Sequence, residues 1–283
     1  MTPELTGFTR DGLEFDVTTS GPVDGEPSVL LHGFPQRSSC WRLVEPLLHD
    51  GGLRTYALDQ RGYSPGARPR GRWNYRISAL VDDAIALAEE VGRPVHLVGH
   101  DWGAVVAWGV AATRPDLVST LTAISVPHPG AMARATVTSS QALRSWYFGL
   151  FNVPFLVDGL VKVRPHALDQ GLRASGMASG QLQRFHSEVV EDGALATALA
   201  WYRAVPLSLV ARKPAWSRRV TVPTTYVWST DDSAISRAAA EGCDAWVTDD
   251  YRYVELEHVS HWIPEEAPAL LADVVLDRVG SQR

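Results

Sequence analysis

The chain has 283 residues, of which 45% are hydrophobic and 20% are charged, and its formal net charge is -6 at pH 7. This length accommodates two domains, or one α/β domain with an insertion, around a large core. The acidic balance, without a long basic run, argues against nucleic acid and anionic membranes as partners. No apolar segment approaches the roughly 18 residues of a membrane-spanning helix, so no membrane association is expected.

The two cysteines, Cys40 and Cys243, have neither metal-like nor redox-like spacing. They are expected to be reduced, structural thiols. The first residues, MTPELTGFTRDG, lack the basic stretch followed by an apolar one that is typical of a secretory leader. A cytoplasmic protein is therefore predicted.

Strand and helix patterns alternate through the first 126 residues. Short apolar runs rich in β-branched residues predict strands, and longer periodic or small-residue runs predict helices. The predicted strands span 13–19, 28–31, 53–58, 94–98 and 121–126, and the predicted helices span 41–48, 75–91 and 103–112. The first two strands are expected to form a hairpin. The alternation predicts a mostly parallel α/β sheet flanked by helices, with ligands at the carboxyl ends of its strands.

Two loops follow early strands of this predicted sheet. In HGFPQ (32–36) the Gly and Pro residues fix a backbone shape that can direct amide N–H groups at an oxyanion, although an ordinary βα loop has the same composition. The next strand ends in DQRGYS (59–64). There, Asp59 and Arg61 are interpreted as a turn held by their own pairing rather than as catalytic groups.

The stretch PVHLVGHDWGAVVAWGVAA (94–112) predicts a strand, a sharp turn and a helix, with Asp101 in the turn. Gly99 and Gly103 flank Asp101, and small residues relieve the crowding of such an elbow. An ionised Asp at this position is itself a nucleophile that can attack carbon to form an ester. The alternative interpretation is an ordinary βα turn in which Asp101 caps the helix N-terminus.

Between 130 and 219 the pattern changes to helical segments rich in Trp, Phe, Leu and Met. These predicted helices span 138–150, 154–163, 180–190 and 194–204. We therefore predict a helical cap, 130–219, inserted into an α/β core composed of 1–129 and 220–283.

Strands are predicted again at 224–229 and 251–257, before a final helix at 264–279. Asp231 and Asp232 follow the first of these strands, and His258 and His261 follow the second. An elbow nucleophile, an acid and then a His is the chain order of a known hydrolase architecture. The His can take a proton from water, and the acid can fix its tautomer and stabilise the imidazolium. The order alone does not decide between the two Asp or the two His residues.

Five motifs follow one another along nearly the whole chain: HGFPQ, DQRGYS, GHDWGA, WSTDD and SHWIPEE. In this order they resemble the α/β-hydrolase superfamily and, within it, the epoxide hydrolases. The resemblance implies the α/β-hydrolase fold with a cap. In the family pattern the acid is the fifth residue from the Trp of the WS motif, which selects Asp232, and the His directly before a Trp is the base, which selects His261.

The resemblance also implies a mechanism. Asp101 attacks an epoxide carbon, while two cap tyrosines, Tyr147 and Tyr202, hydrogen-bond the epoxide oxygen and one of them donates its proton. His261, oriented by Asp232, then activates the water that hydrolyses the ester.

The same resemblance implies how the substrate is surrounded. The backbone N–H groups of Phe34 and Trp102 form the oxyanion hole, and Phe34, Trp102, Trp146 and Phe151 contribute to an apolar pocket. Such a pocket favours a small hydrophobic epoxide, with water as the second substrate. No metal or organic cofactor is required, and the protein is expected to be a monomer or a homodimer.

Other hydrolases of this type fit the residues less well. Haloalkane dehalogenases resemble the chain and use the same aspartyl ester, but they commonly carry an Asn where this chain has Phe34. Fluoroacetate dehalogenases carry Arg residues after the elbow Asp, where this chain has Trp102 and Val105. A serine esterase is excluded by Asp101. A hydrolase-like binding protein without turnover is the alternative from another class.

Overall fold

A computed structural model of the protein describes residues 4–153, 155–208 and 217–281. Its strands form one eight-stranded sheet in the order β1-β2-β4-β3-β5-β6-β7-β8. The strand bounds are β1 Gly7–Arg10, β2 Leu13–Ser20, β3 Glu26–Leu31, β4 Leu53–Leu58, β5 Val95–His100, β6 Val118–Ile124, β7 Thr224–Ser229 and β8 Tyr251–Leu256. Strand β2 pairs antiparallel with β1 and β4, and the pairs from β4 through β8 are parallel. The predicted α/β class with a mostly parallel sheet is confirmed.

Helices connect the parallel strands and fill the segment between β6 and β7. The helix bounds are α1 Glu45–Asp50, α2 Ile77–Val91, α3 Trp102–Thr113, α4 Pro129–Thr138, α5 Gln141–Arg144, α6 Tyr147–Asn152, α7 Leu156–Val163, α8 Asp169–Ala174, α9 Ser179–Phe185, α10 Leu195–Ser208, α11 Arg237–Glu241, α12 Ile263–Glu266 and α13 Pro268–Gly280. A π-helical segment, His186–Glu191, continues from α9. Within the described ranges no helix has the length and apolar content needed to cross a bilayer.

The two faces of the sheet bury separate apolar clusters. Along β3, Val29 and Leu31 pack toward α2 and α3, whereas Leu30, between them, packs toward α1 and α13. Successive side chains of a strand point to opposite faces, so a strand that is covered on both sides is apolar at consecutive positions. This explains why the central strands are continuous apolar runs in the sequence. Because these strands are parallel, their carboxyl ends lie at one edge of the sheet.

The predicted hairpin between the strands at 13–19 and 28–31 is wrong, because these strands do not pair with each other. Strand β2 pairs with β1 and β4, and β4 separates it from β3. Alternation identifies a strand but not its neighbour. The short strand β1 escaped prediction because Phe8 is its only buried residue, stacked on Phe15 of β2 with ring centroids 4.8 Å apart.

The turn after β4 is structural, as predicted, but the pairing of Asp59 with Arg61 is wrong. Asp59 pairs with Arg37 at 2.9 Å, and Arg61 makes two 2.7 Å hydrogen bonds to the carboxylate of Asp83. Asp59 and Arg61 therefore each bind a partner that lies outside DQRGYS. The turn therefore ties its strand to α2 and to the loop after β3.

Residues 129–153 and 155–208 form helices and turns without a strand, in accord with a helical insertion. The predicted helix at 138–150 is instead the end of α4 followed by α5 and α6. Ser139 interrupts it with extended backbone, and its hydroxyl accepts a hydrogen bond from the Gln141 N–H at 3.2 Å. Ser side chains compete with helical hydrogen bonds in this way. Helices α4 and α8 were not predicted. Pro154, the first residue of the predicted helix 154–163, lies outside the described residues. The bounds of the cap and core domains stay predictions.

Polar side chains of this helical segment, here called the cap, contact polar side chains of the α/β core. The pairs are Ser39–Glu188, Arg37–Asp192, Arg68–Asp192 and Arg184–Glu265. In addition, the Trp201 indole N–H donates to the backbone oxygen of Arg61 at 2.8 Å. The Trp201 contact places α10 of the cap against the loop that follows β4, and the other pairs join α9 and the segment after it to residues that follow β3, β4 and β8.

Candidate active site

Asp101 occupies a tight turn between β5 and α3. Its backbone has φ 54° and ψ -117°, a conformation that costs a non-glycine residue about 1–3 kcal/mol. Glycine is required on both sides, because a Cβ on Gly99 would lie 2.3 Å from the Gly103 oxygen and one on Gly103 would lie 2.0 Å from the Leu31 oxygen. The Asp101 side chain makes no helix-capping hydrogen bond. The alternative of a simple N-cap is therefore not supported.

The two carboxylate oxygens of Asp101 have different surroundings. Oδ1 accepts a hydrogen bond from the Phe34 backbone N–H at 2.8 Å, and Oδ2 lies 3.4 Å from Nε2 of His261. A Cβ on Gly33 would lie 2.4 Å from Oδ1, so the loop before Phe34 approaches this closely because it carries glycine. Oδ1 thus faces an amide donor, and Oδ2 faces the imidazole.

His261 and Asp232 are the pair that the structure brings together. His261 Nδ1 lies 2.8 Å from Oδ2 of Asp232, whose Oδ1 accepts hydrogen bonds from the Ala234 and Ile235 N–H groups at 2.8 and 2.9 Å. The rival residues Asp231 and His258 are both exposed. The buried, doubly anchored carboxylate can hold the His261 ring in one orientation.

Buried polar side chains at the ends of neighbouring strands hold the backbone of His261. His100 Nε2 and the Ser125 hydroxyl donate to the His261 carbonyl oxygen at 2.8 and 3.1 Å, and the Ser229 hydroxyl donates to the Ser260 oxygen at 2.8 Å. Burial, followed by the nearby His261, lowers the pKa of His100 to about 4, so His100 is a neutral donor. Sequence analysis missed these three residues. The feature that could have identified them is their position at or directly after the ends of strands β5, β6 and β7.

Tyr63 is a further polar residue that sequence analysis missed. It is fully buried, and its hydroxyl has no hydrogen-bond partner among the described residues. Burial and the nearby Asp101 carboxylate raise its pKa well above the ordinary value, so the hydroxyl stays protonated. Its position in DQRGYS suggested only a turn.

The electrostatics fix the charges of the central pair. Burial alone would lower the pKa of His261, but the carboxylates of Asp232 and Asp101 outweigh it and raise the pKa to about 10. Burial alone would raise the pKa of Asp101, but hydrogen bonding and charge attraction from His261 outweigh it and lower the pKa. At neutral pH the site therefore holds an imidazolium between two carboxylates.

Asp101→Asn is expected to lower the pKa of His261 clearly below 10, because it removes one of the two carboxylates that stabilise the imidazolium. Titration of the labelled histidine by NMR measures the shift. In the wild type, the stability that this attraction contributes is complete below pH 6.5 and is lost as the pH rises through about 10. An unchanged His261 pKa in the variant would contradict the coupling.

Cap aromatics cover Asp101. Tyr202 is buried, and its ring makes edge contacts with Phe34 and Trp102, each with centroids 5.1 Å apart. Tyr147 lies 6.0 Å from the Tyr202 ring and 5.7 Å from Phe151. Burial, followed by the Asp101 carboxylate, raises the pKa of both tyrosines, which keeps both hydroxyls protonated.

The placement of Trp146 in the pocket wall is wrong. Its side chain is 68% exposed, whereas Phe34, Trp102 and Phe151 are buried around Tyr202. Trp146 and Tyr147 are consecutive at the start of α6, and consecutive helical residues point about 100° apart. Because Tyr147 packs on Phe151 and Tyr202, Trp146 faces solvent.

Fold and site together define the class as an α/β hydrolase. In this architecture the strand-to-helix elbow carries the reactive side chain, and here the residue at the elbow is an aspartate. A family model described as "Alpha/beta hydrolase family" matches residues 29–274. The chain belongs to the α/β hydrolase family.

Individual relatives refine this placement. The chain is 33% identical over 280 residues to the AB hydrolase superfamily protein YfhM of Bacillus subtilis (strain 168), covering 96% of each protein. It is 27% identical over 307 residues to Epoxide hydrolase A of Mycobacterium tuberculosis, covering 94% of each. An epoxide hydrolase of Bacillus megaterium, solved with an inhibitor, superposes with a TM-score of 0.82 at 26% identity over 97% of this chain and 99% of that one. The resemblance to epoxide hydrolases is therefore confirmed.

Proposed function

We propose that the protein is an epoxide hydrolase that converts a small hydrophobic epoxide to a vicinal diol through an ester on Asp101. The observation that carries the proposal is an ionised carboxylate beside an acid-bound histidine, with the protonated Tyr202 packed on Trp102 and the protonated Tyr147 packed on Tyr202. Those groups match the three needs of the reaction: a nucleophile, donors for the departing oxygen, and a base for water. Relatives named epoxide hydrolases support the substrate class.

In the first step Oδ2 of Asp101 attacks an epoxide carbon, and the C–O bond on the opposite side breaks. The oxygen leaves with the bonding electrons as an alkoxide and takes a proton from Tyr147 or Tyr202. Both hydroxyls are protonated because their pKa values are raised, and the alkoxide is a stronger base than either tyrosinate. The products are a hydroxyalkyl ester and one tyrosinate.

The second step requires a neutral histidine. Esterification removes the charge of Asp101, so His261 loses one of the carboxylates that raise its pKa and its proton can return to the tyrosinate. Neutral His261 then takes a proton from water as the water oxygen attacks the ester carbon. Asp232 stabilises the imidazolium that forms again. Forming the ester therefore itself switches His261 from acid to base.

The oxyanion of the tetrahedral intermediate develops on Oδ1, which already accepts the Phe34 N–H. The Trp102 backbone N–H also stabilises the Asp101 carboxylate and is proposed as the second donor. Each such donor contributes about 3 kcal/mol of transition-state stabilisation in comparable sites. Collapse of the intermediate expels the diol alkoxide, which is protonated by the regenerated carboxylic acid.

The double variant Tyr147→Phe, Tyr202→Phe is expected to slow ester formation by about 10²- to 10⁴-fold, the usual range for a general acid, and each single variant is expected to slow it less. Rapid-quench measurement of the ester checks the first step. Hydrolysis of the ester once formed is expected to be less affected. Tyr251→Phe is the matched control, because Tyr251 begins β8 at the opposite end of the sheet from the site. Equal slowing in the control would contradict the assignment.

The experiment that tests the function is a single turnover in oxygen-18 water with excess enzyme. A styrene-oxide-like epoxide and a haloalkane are offered in parallel, and the peptide that contains Asp101 is analysed by mass spectrometry. Diol formation with label in Asp101 is the expected result, because the attacking water leaves its oxygen on the carboxylate.

The other outcomes separate the alternatives. Halide release without diol formation would assign a haloalkane dehalogenase. Epoxide binding without turnover and without label in Asp101, over a broad panel, would favour a binding protein. Diol formation with label only in the diol would overturn the ester mechanism while leaving the substrate class intact.

A further inference from the structure

A cluster of three metal-ligating side chains lies in the cap, on elements that hold none of the proposed catalytic groups. His166 lies in the turn before α8, Asp169 is the first residue of α8, and His186 begins the π-helical segment after α9. Their ligand atoms all lie within 4.8 Å of one another. Sequence patterns did not predict this cluster, because the spacing of three and then seventeen residues matches no common metal motif.

The three groups converge on one point. His166 Nδ1 lies 2.9 Å from Oδ2 of Asp169 and 3.1 Å from Nε2 of His186, and that Nε2 lies 2.9 Å from Oδ1 of Asp169. The side chains of Asp169 and His186 are 20% and 15% exposed, and that of His166 is 76% exposed. Two shielded ligands and one accessible one leave an entry path from solvent.

With Asp169 ionised, no placement of protons on the two imidazoles satisfies all three contacts. If both facing nitrogens carry hydrogen, each can donate to Asp169, but the two N–H groups then oppose each other at 3.1 Å. If one nitrogen is bare, its lone pair faces a carboxylate oxygen that can only accept. A cation at the centre turns all three contacts into attractions, because both nitrogens and the carboxylate then present lone pairs to it.

We propose that His166, Asp169 and His186 bind a divalent transition-metal ion, with zinc as the ion expected and water in the fourth position. Two imidazoles and one carboxylate suit zinc and its neighbours, whereas magnesium and calcium prefer oxygen ligands. Bonds of 2.0–2.1 Å at tetrahedral angles separate ligand atoms by about 3.3 Å. The two nitrogens lie 3.1 Å apart, and each carboxylate oxygen lies 2.9 Å from one of them, so these separations need an outward adjustment of only a few tenths of an ångström.

The consequence of binding is a stiffer junction between cap and core. The ion joins the turn before α8 to the π-helical segment, in which Glu188 accepts a 2.5 Å hydrogen bond from Ser39 and a 3.3 Å one from Arg37. Both core residues follow the loop that carries Phe34. The site is independent of the proposed reaction, which uses no metal.

The test uses the full-length protein without a histidine tag, freed of metal by a chelator. Zinc chloride is titrated by calorimetry, and thermal unfolding is followed with and without zinc. One zinc ion per chain is expected, and zinc at 100 times its Kd should raise Tm by about 5 °C. Magnesium chloride at the same concentration should give no shift.

Matched variants locate the ion. Asp169→Asn and His186→Gln are expected to abolish the Tm shift, and His258→Gln, which removes an exposed histidine outside the cluster, is expected to retain it. Zinc binding that survives both cluster variants would overturn the proposal, as would the absence of binding to the wild type. Binding that is lost in Asp101→Asn but retained in the cluster variants would place the ion in the active site and overturn it as well.

Discussion

Asp101→Asn is expected to reduce diol formation by about 10⁴-fold or more, the scale on which removing a nucleophile acts in hydrolases of this chemistry. The amide keeps the shape of the carboxylate and its contact with the Phe34 N–H, but it has no charge with which to attack carbon. Steady-state diol formation and trapping of the ester both measure the effect. Neither product nor ester should form.

The Asp101→Asn variant needs a control for reversion of its side chain to aspartate. The water activated by His261 can hydrolyse an amide held in the oxyanion hole, which would restore Asp101. The mass of the variant should therefore be verified before and after each assay. Activity of the intact amide within about tenfold of the wild type would rule out the proposed nucleophile.

His261→Gln is expected to separate the two steps. The variant removes the main group that lowers the pKa of Asp101, so it should be assayed at a pH high enough to ionise that carboxyl group. The tyrosines stay in place, and one equivalent of epoxide should then react and remain on the protein as a stable ester. Turnover should fall by about 10⁴-fold or more, because no other described group lies beside Asp101 as a base for water. Intact-protein mass spectrometry should show a gain equal to the mass of one epoxide.

Asp232→Asn is the companion variant for this prediction. It removes the negative charge beside Nδ1 of His261 while retaining the side-chain volume, so the ester should again accumulate, but it should decay faster than in His261→Gln. A variant of His261 that turns over without accumulating ester would contradict the role of base. Thermal unfolding of both variants distinguishes lost chemistry from lost folding.

Local patterns in the sequence predicted most of the frame on which the site stands. Strand β7 spans 224–229 as predicted, and the elbow at Asp101 lies between its predicted strand and helix. Periodicity and small-residue spacing are properties of neighbouring positions, so they can be read without knowing the fold. The strands that these residues follow predicted the order of nucleophile, acid and His, and the resemblance to epoxide hydrolases selected Asp232 over Asp231 and His261 over His258.

Contacts between distant segments were beyond these patterns. Nothing near His100 in the sequence indicates that its ring donates to the backbone of a residue 161 positions later. The side-chain direction of Trp146 depends on where α6 begins, and α6 begins only after α4 has ended at Ser139 and α5 at Ser145. Such features are set by tertiary packing and by local hydrogen-bond competition, so a motif can select Tyr147 yet misplace its neighbour.

The ion pairs between cap and core limit how this enzyme can change its substrate range. Arg37 and Arg68 of the core both pair with Asp192 of the cap, and Glu265 of the core pairs with Arg184. A cap transplanted from a relative would remove these cross-contacts unless the matching residues were transplanted with it, and would leave Arg37 with Asp59 and Glu265 with Arg42 as their core partners. Recombination of whole caps therefore sacrifices the ion pairs between cap and core, whereas point substitutions around Phe151 leave them in place.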